Sequence, residues 1–258
     1  MLIDAAVFWL GACLGSFLNV VICRLPKDES VVRPRSRCPR CGISIAFYDN
    51  IPVLSWIFLR GRCRSCRGRI SARYPAVELL MAGACLSLWL RWESGPWVLA
   101  ASLASAVLAA VAFIDWDTFL IPDELSLALC ALGILASGVN PLLGQASWLW
   151  RAAASAGGAA FGFALCWGIA ALGERLFKKE AMGGGDIKLL AAIGAWGGVL
   201  GVFDCVLIAS FVGVLYGGAL MVRKKIKRDE PIPFGPFLAL GAAVNFFYLL
   251  PWGFPFLR

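Results

Sequence analysis

Long apolar runs alternate with short polar stretches along almost the whole chain. Residues 4 to 23 are apolar except at Asp4, Ser16 and Asn19. A helix of about 20 such residues crosses a bilayer. Further apolar runs occupy 75–90, 97–114, 124–139, 154–172, 187–222 and 237–250. Pro122 separates the third span from the fourth by breaking any helix that continues through it. The run 187–222 is too long for one crossing, so a reversal is expected between Gly197-Gly198 and Asp204. The pattern predicts an all-α polytopic membrane protein with about eight transmembrane helices. One long polar segment stands apart. It suggests a first transmembrane helix at 1–23, a loop domain at 24–74 and a membrane domain of about seven helices at 75–258. No internal repeat is evident.

Composition agrees with the pattern. Of 258 residues, 60% are hydrophobic and only 16% charged, against about 25% charged in soluble domains. Mean hydropathy is +0.78. The first 25 residues do not read as a cleaved signal peptide, because basic residues follow the apolar run instead of preceding it. The net charge of +8 is loop charge, not a nucleic-acid footprint. No helix-turn-helix, RNA-binding signature or basic helix is present, so no nucleic-acid partner is expected. With eight spans, 21 of the 24 Lys and Arg residues fall on one side, in 24–74, 115–124, 173–188 and 223–236. The other side has only Arg91, Arg151 and Arg258. That bias makes the first side cytoplasmic and both termini external, with lipid as the surrounding partner.

The loop domain carries 12 basic residues against three acids. It also carries Cys38-Pro-Arg-Cys41 and Cys63-Arg-Ser-Cys66. Two CxxC pairs some twenty residues apart fit a tetrahedral four-thiolate zinc site, with Gly42 and Gly68 suited to the knuckle turns. A segment this small and basic gains a structural staple from zinc. Two disulfides are the alternative, and a reducing cytoplasmic location disfavours them. The other six cysteines (Cys13, Cys23, Cys85, Cys130, Cys166, Cys205) lie in apolar runs and read as small hydrophobes.

The chain has no histidine, which excludes Ser-His and Cys-His catalysis and His-ligated catalytic zinc. The chemistry then falls to acids. Asp115 ends one span and Asp186 begins another after Gly183-Gly184-Gly185, and span parity puts both at the cytoplasmic membrane edge. Ionisable groups at membrane depth are functional candidates. Two neighbouring carboxyls share one proton, so one can activate water while the other polarises a carbonyl. Helix-end dipoles favour the anion on Asp186 and the neutral form on Asp115. Alternatives stay open on spacing alone. Asp186 fits a plain helix N-cap, and Asp117 and Asp123 rival Asp115. Lys188 fits an ion pair or a lipid phosphate. Ser16 and Asn19 fit helix–helix contacts, and Glu78 fits a helix-start acid.

Several motifs in order narrow these choices. Gly15-Ser-Phe-Leu-Asn-Val-Val-Ile-Cys-Arg-Leu-Pro26, both CxxC pairs, Arg73-Tyr-Pro-Ala-Val-Glu78, Ile114-Asp-Trp-Asp-Thr-Phe-Leu-Ile-Pro-Asp123, Gly183-Gly-Gly-Asp-Ile-Lys-Leu-Leu190 and Pro231-Ile-Pro-Phe-Gly-Pro236 resemble the type IV prepilin leader peptidase family. That family comprises bifunctional GxGD aspartic proteases of the bacterial inner membrane. The resemblance implies cleavage of prepilin or pseudopilin leaders at the cytoplasmic face, then N-methylation with S-adenosylmethionine. It maps the catalytic pair onto Asp115 and Asp186; the glycines beside the second, Gly183 and Gly185, let backbone approach a substrate, and Lys188 is a candidate for loop support. It maps zinc onto Cys38, Cys41, Cys63 and Cys66. Ser16, Asn19 and Glu78 are the candidates for the methyl donor, since no Rossmann glycine fingerprint is present. Two competing classes are an ion-coupled transporter and a non-catalytic zinc-bearing scaffold. A transporter would carry its polar residues at the bilayer midplane, whereas these concentrate at one surface.

Overall fold

The computed structural model describes residues 1–92, 95–144, 147–178, 182–224 and 231–249. Lys179, the basic positions 225–228, Leu250 and Arg258 lie outside them. Among the described residues there are eight α-helices: α1 (Leu2–Arg24), α2 (Leu54–Phe58), α3 (Arg73–Trp92), α4 (Gly95–Thr118), α5 (Asp123–Ala136), α6 (Trp148–Phe177), α7 (Gly184–Val222) and α8 (Gly235–Asn245). Among the described residues there are no strands, only two isolated bridges in the polar loop. Two compact units divide the chain, Met1–Ala106 and Val107–Arg258.

Among the described residues, four helices are long and apolar enough to cross a bilayer: Leu2–Lys27 (α1 with its short continuation), Gly95–Thr118, Trp148–Leu176 and Gly184–Val222. The helix α3 is long but less apolar, and α5 and α8 are short. The expected eight crossings are therefore not reached by individual helix length.

The expected reversal in α7 is present. A straight 39-residue helix would run roughly 58 Å at 1.5 Å per residue, twice the ~30 Å hydrocarbon core. Gly198 breaks it, with φ 61° and ψ −162°. Beyond the break, Val202 Cγ2 lies 3.0 Å from where a Cβ on Gly194 would stand. In an unbroken helix eight residues are about 12 Å apart along the axis, so the chain doubles back. The halves are α7a (184–197) and α7b (199–222).

A helix break frees carbonyls that lipid cannot satisfy. Buried side chains take two of them. Ser155 Oγ donates to Ala195 O at 2.7 Å, and Asn140 Nδ2 donates to Trp196 O at 2.7 Å. Trp196 Nε1 in turn donates to Leu129 O on α5. On α8, Asn245 Nδ2 donates to Gly201 O at 2.8 Å. These bonds hold α5, α6 and α8 around the hairpin.

Backbone meets backbone where α6 crosses α7a. A Cβ on Gly158 would strike the Gly194 carbonyl oxygen and stand 2.6 Å from Gly198 Cα. Gly158→Ala is expected to destabilise by about 1–3 kcal/mol, the usual cost of overpacking. Thermal unfolding of the purified protein in detergent checks this.

In the first unit α1 and α3 run antiparallel. Gly11 faces Met81 and Ala82, while Gly15 lies against Val77 and Glu78. Asn19 Nδ2 closes the end by donating to Tyr74 O at 3.1 Å. The contact reading of Ser16 and Asn19 therefore describes part of what Asn19 does.

Candidate functional site: a carboxyl pair, a thiolate cage and a cavity

Helix α4 runs on to Thr118, so Asp115 sits inside the last helical turn instead of beyond it. Thr118 Oγ1 donates back to Ile114 O, and Phe119, at φ 57°, turns the chain out of the helix. Asp115 is 5% exposed. The rivals differ, since Asp117 and Asp123 are exposed. Asp123 also faces Lys188, whose Nζ lies 2.7 Å from both carboxylate oxygens. An exposed pair contributes little, typically under ~1 kcal/mol. Lys188→Met is expected to lower the melting temperature only slightly, as thermal unfolding in detergent checks.

Asp186 is not an N-cap. Gly183 is the N-cap residue of α7 and Asp186 is the third residue of the helix, with its N–H bonded to Gly183 O at 3.1 Å. Its Oδ1 is buried and has no hydrogen-bond partner among the described residues. An orphaned buried carboxyl oxygen is costly in a purely structural role.

Asp115 and Asp186 are close enough to interact electrostatically. Ile121 lies between their supports. Its Cβ is 2.9 Å from an ideal Cβ on Gly185, and its Cδ1 is 3.2 Å from one on Gly235. Gly183 lies beside Asp186, an ideal Cβ there standing 3.6 Å from Oδ2. Gly235 N–H donates to Asp115 Oδ2 at 2.9 Å. This Gly235 contact was not foreseen from sequence. Its signal was Pro231-Ile-Pro-Phe-Gly-Pro236, a segment noted for resemblance but given no role. Asp204, fully buried in α7b, was also not singled out.

In the first unit the four candidate zinc ligands converge. The Sγ atoms of Cys38, Cys41, Cys63 and Cys66 all lie within 4.8 Å of one another, and Cys38 and Cys66 are 3.8 Å apart. Tetrahedral zinc with Zn–S near 2.3 Å requires sulfurs about 3.8 Å apart, so the cage fits the ion. Each knuckle closes the same way. Cys38 N–H donates to Ile43 O and Gly42 N–H to Cys38 O, while Cys63 N–H donates to Gly68 O and Arg67 N–H to Cys63 O. Gly42 takes the left-handed turn at φ 70°, but in the second knuckle Arg67 takes it, at φ 56°. Gly68 instead provides room, since a Cβ there would lie 2.5 Å from Arg40 Cδ and 3.3 Å from Cys66 Sγ. The backbone N–H of Cys41, then that of Arg40, lowers the Cys38 thiol, while Cys41 in the same cluster is raised, so the thiols titrate together.

Ser16, Asn19 and Glu78 meet at one cavity of about 580 Å³, whose wall also includes Tyr48, Trp56 and Cys38. Sites that enclose cofactor-sized ligands run about 300–1,000 Å³. Glu78 is 8% exposed. Its Oε2 accepts from Val53 N–H at 2.7 Å, and Ser16 is in hydrogen-bonding contact with the same carboxyl. Val53 reaches it from φ 62°. A β-branched residue there stores about 1–3 kcal/mol of strain, a common mark of functional sites. At the cavity wall Arg64 grips Asp49 through two bonds of 2.7 and 2.6 Å, holding that carboxyl below its ordinary value. Arg64 also lies 5.5 Å from the centre of the Tyr48 ring.

Comparison with known proteins covers both units. Residues 9–92 match the bacterial peptidase A24 N-terminal domain, and residues 102–218 match the type IV leader peptidase family. The first span includes the cage and cavity residues, and the second includes Asp115 and Asp186. A prepilin leader peptidase/N-methyltransferase of Aeromonas salmonicida is 40% identical, covering 96% of this chain and 90% of its own length. One from Burkholderia pseudomallei is also 40% identical, over 94% and 84%. One from Pseudomonas aeruginosa is 37% identical, over 95% and 88%. No solved structure matches the chain.

Proposed function

The chain belongs to the type IV leader peptidase family, and from that premise we propose that it removes the short basic leader of prepilins or pseudopilins and methylates the new amino terminus. The observation that carries cleavage is the pair of interacting acids in the second unit, one buried against Gly235 and the other with an orphaned buried oxygen. Asp115 and Asp186 are the catalytic residues, with Gly183 and Gly185 shaping the backbone beside them. Lys188 supports the loop through Asp123. Neither a transporter nor a non-catalytic scaffold is favoured by the relatives.

The 580 Å³ cavity is the proposed methyl-donor site. When bound, S-adenosylmethionine supplies an electrophilic methyl group. Ser16, Asn19 and Glu78 would hold it, Glu78 facing its positive charge, and Tyr48 and Trp56 offer aromatic faces for its base. Zinc in the Cys38, Cys41, Cys63, Cys66 cage is structural and holds the loop that walls this cavity. Residues 1–23 form the first membrane helix, 24–74 the zinc-binding module and 75–258 the peptidase domain. The eight apolar rods, counting both halves of α7 and omitting α2, form the membrane part. The basic loops put the active site at the cytoplasmic face of the inner membrane, with lipid around the helices.

The test is direct. Full-length enzyme in lipid nanodiscs receives a synthetic prepilin peptide, with and without S-adenosylmethionine, and products are read by mass spectrometry. Leader loss with addition of one methyl group is expected. An intact peptide after long incubation defeats the proposal. Glu78→Gln is expected to lower methylation about 10-fold or more, as removal of a charged contact does, with cleavage retained.

A further inference from the structure

We propose that Gly235 is a positioning residue of the carboxyl pair: its N–H holds Asp115 as the anionic base, leaving the shared proton on Asp186 as the acid. This rests on the catalytic assignment above. Gly235 is the first residue of α8, with Phe234 as N-cap. Its N–H therefore has no acceptor within its own helix. It donates to Asp115 Oδ2 at 2.9 Å in a buried setting. An N–H donor stabilises a carboxylate more than a neutral carboxyl, and the positive end of α8 adds to this.

A side chain at this position would displace the Asp115 carboxyl. An ideal Cβ would stand 2.7 Å from Asp115 Oδ2 and 3.2 Å from its carboxyl carbon, with Ile121 Cδ1 at 3.2 Å. Asp115, in the last turn of α4, has no room to retreat, being almost fully buried. Asp186 is held differently. The N–H of Gly183 lies beside its carboxyl, and Oδ1 is buried with no hydrogen-bond partner among the described residues. Helix-end dipoles alone favour the opposite arrangement. A dipole acts through the N–H groups at the helix start, and the N–H of Gly235 at the start of α8 is aimed at Asp115 Oδ2 at 2.9 Å.

The chemistry follows. Asp115 removes a proton from water as the water oxygen bonds to the scissile carbonyl carbon. The carbonyl π pair moves to oxygen, which takes the proton of Asp186. The resulting gem-diol collapses. Its O–H proton returns to Asp186, the C–N bond breaks, and Asp115 passes its proton to the departing amine. Both acids end as they began.

Two measurements on full-length enzyme in nanodiscs test this. Gly235→Ala is expected to lower kcat for leader cleavage about 10²-fold, as a misplacement near 1 Å does, with KM little changed. Asp186→Asn retains an N–H donor for the carbonyl, whereas Asp115→Asn has no base. Asp186→Asn is therefore expected to keep at least about tenfold more residual cleavage than Asp115→Asn. A near-normal kcat in Gly235→Ala, or the reverse order of the two Asn variants, overturns the proposal. Should Gly235→Ala fail to fold, the order of the Asn variants still decides. Should wild-type enzyme fail to cleave, the functional assignment falls instead.

Discussion

Replacing Asp115 or Asp186 with Asn is expected to lower leader cleavage by about 10²–10⁴-fold, the range that follows when a positioned proton-transfer group is lost. The substitution keeps size and shape and removes the ability to hold or release the proton. Both side chains are at or near the protein interior, and Asn fills the same space without an ionisable group to desolvate. The variants should melt no lower than wild type. Methyl transfer to an already cleaved pilin peptide should persist, because the proposed donor cavity is built from the first unit alone. Stopped-time mass spectrometry of both reactions on each variant is the measurement. Cleavage within a few fold of wild type in either variant would sink the assignment.

Removing the metal should act on the other activity. The loop 24–74 has little core of its own. Phe47 is 86% exposed and Phe58 81% exposed. Its organisation therefore depends on the four thiolates, where structural zinc supplies an apparent 10–16 kcal/mol. Cys38→Ser is expected to abolish metal binding, read as zinc per protein by elemental analysis. It should also open the loop to trypsin, which finds 12 Lys and Arg residues there. Methylation should fall to background, because Cys38 and Cys63 line the same cavity as Ser16, Asn19 and Glu78. Cleavage should fall much less. Equal loss of both activities would contradict a donor site in the first unit.

Most of the helical layout was legible because lipid imposes one rule, that apolar length must match the bilayer. The break at Gly198 could be anticipated because a 36-residue apolar run exceeds one crossing. Its partners could not. Ser155 and Asn140 read as ordinary polar residues until the freed carbonyls of Ala195 and Trp196 are in place. The four-cysteine cluster was legible from spacing, but not the exchange of roles between Gly68 and Arg67, which depends on the crowding of Arg40 against Cys66. Among Asp115, Asp117 and Asp123 spacing offered no choice. Burial distinguishes them, and burial follows from α4 running one turn further than expected. Gly235 was illegible because its role lies in a backbone N–H 120 residues away from its acceptor.

The hairpin of α7 bears on how this protein is made. Its turn at Gly198 is lined with Gly, Trp and Leu, and carries no Lys or Arg between Lys188 and Arg223. The insertion machinery therefore meets no positive charge at the tip that would hold it back. Both limbs must enter the lipid as one folded unit, oriented by the cations at its two feet. Basic residues engineered into the tip would compete with those feet and produce inverted chains, detectable by which side of the membrane exposes the segment after α7.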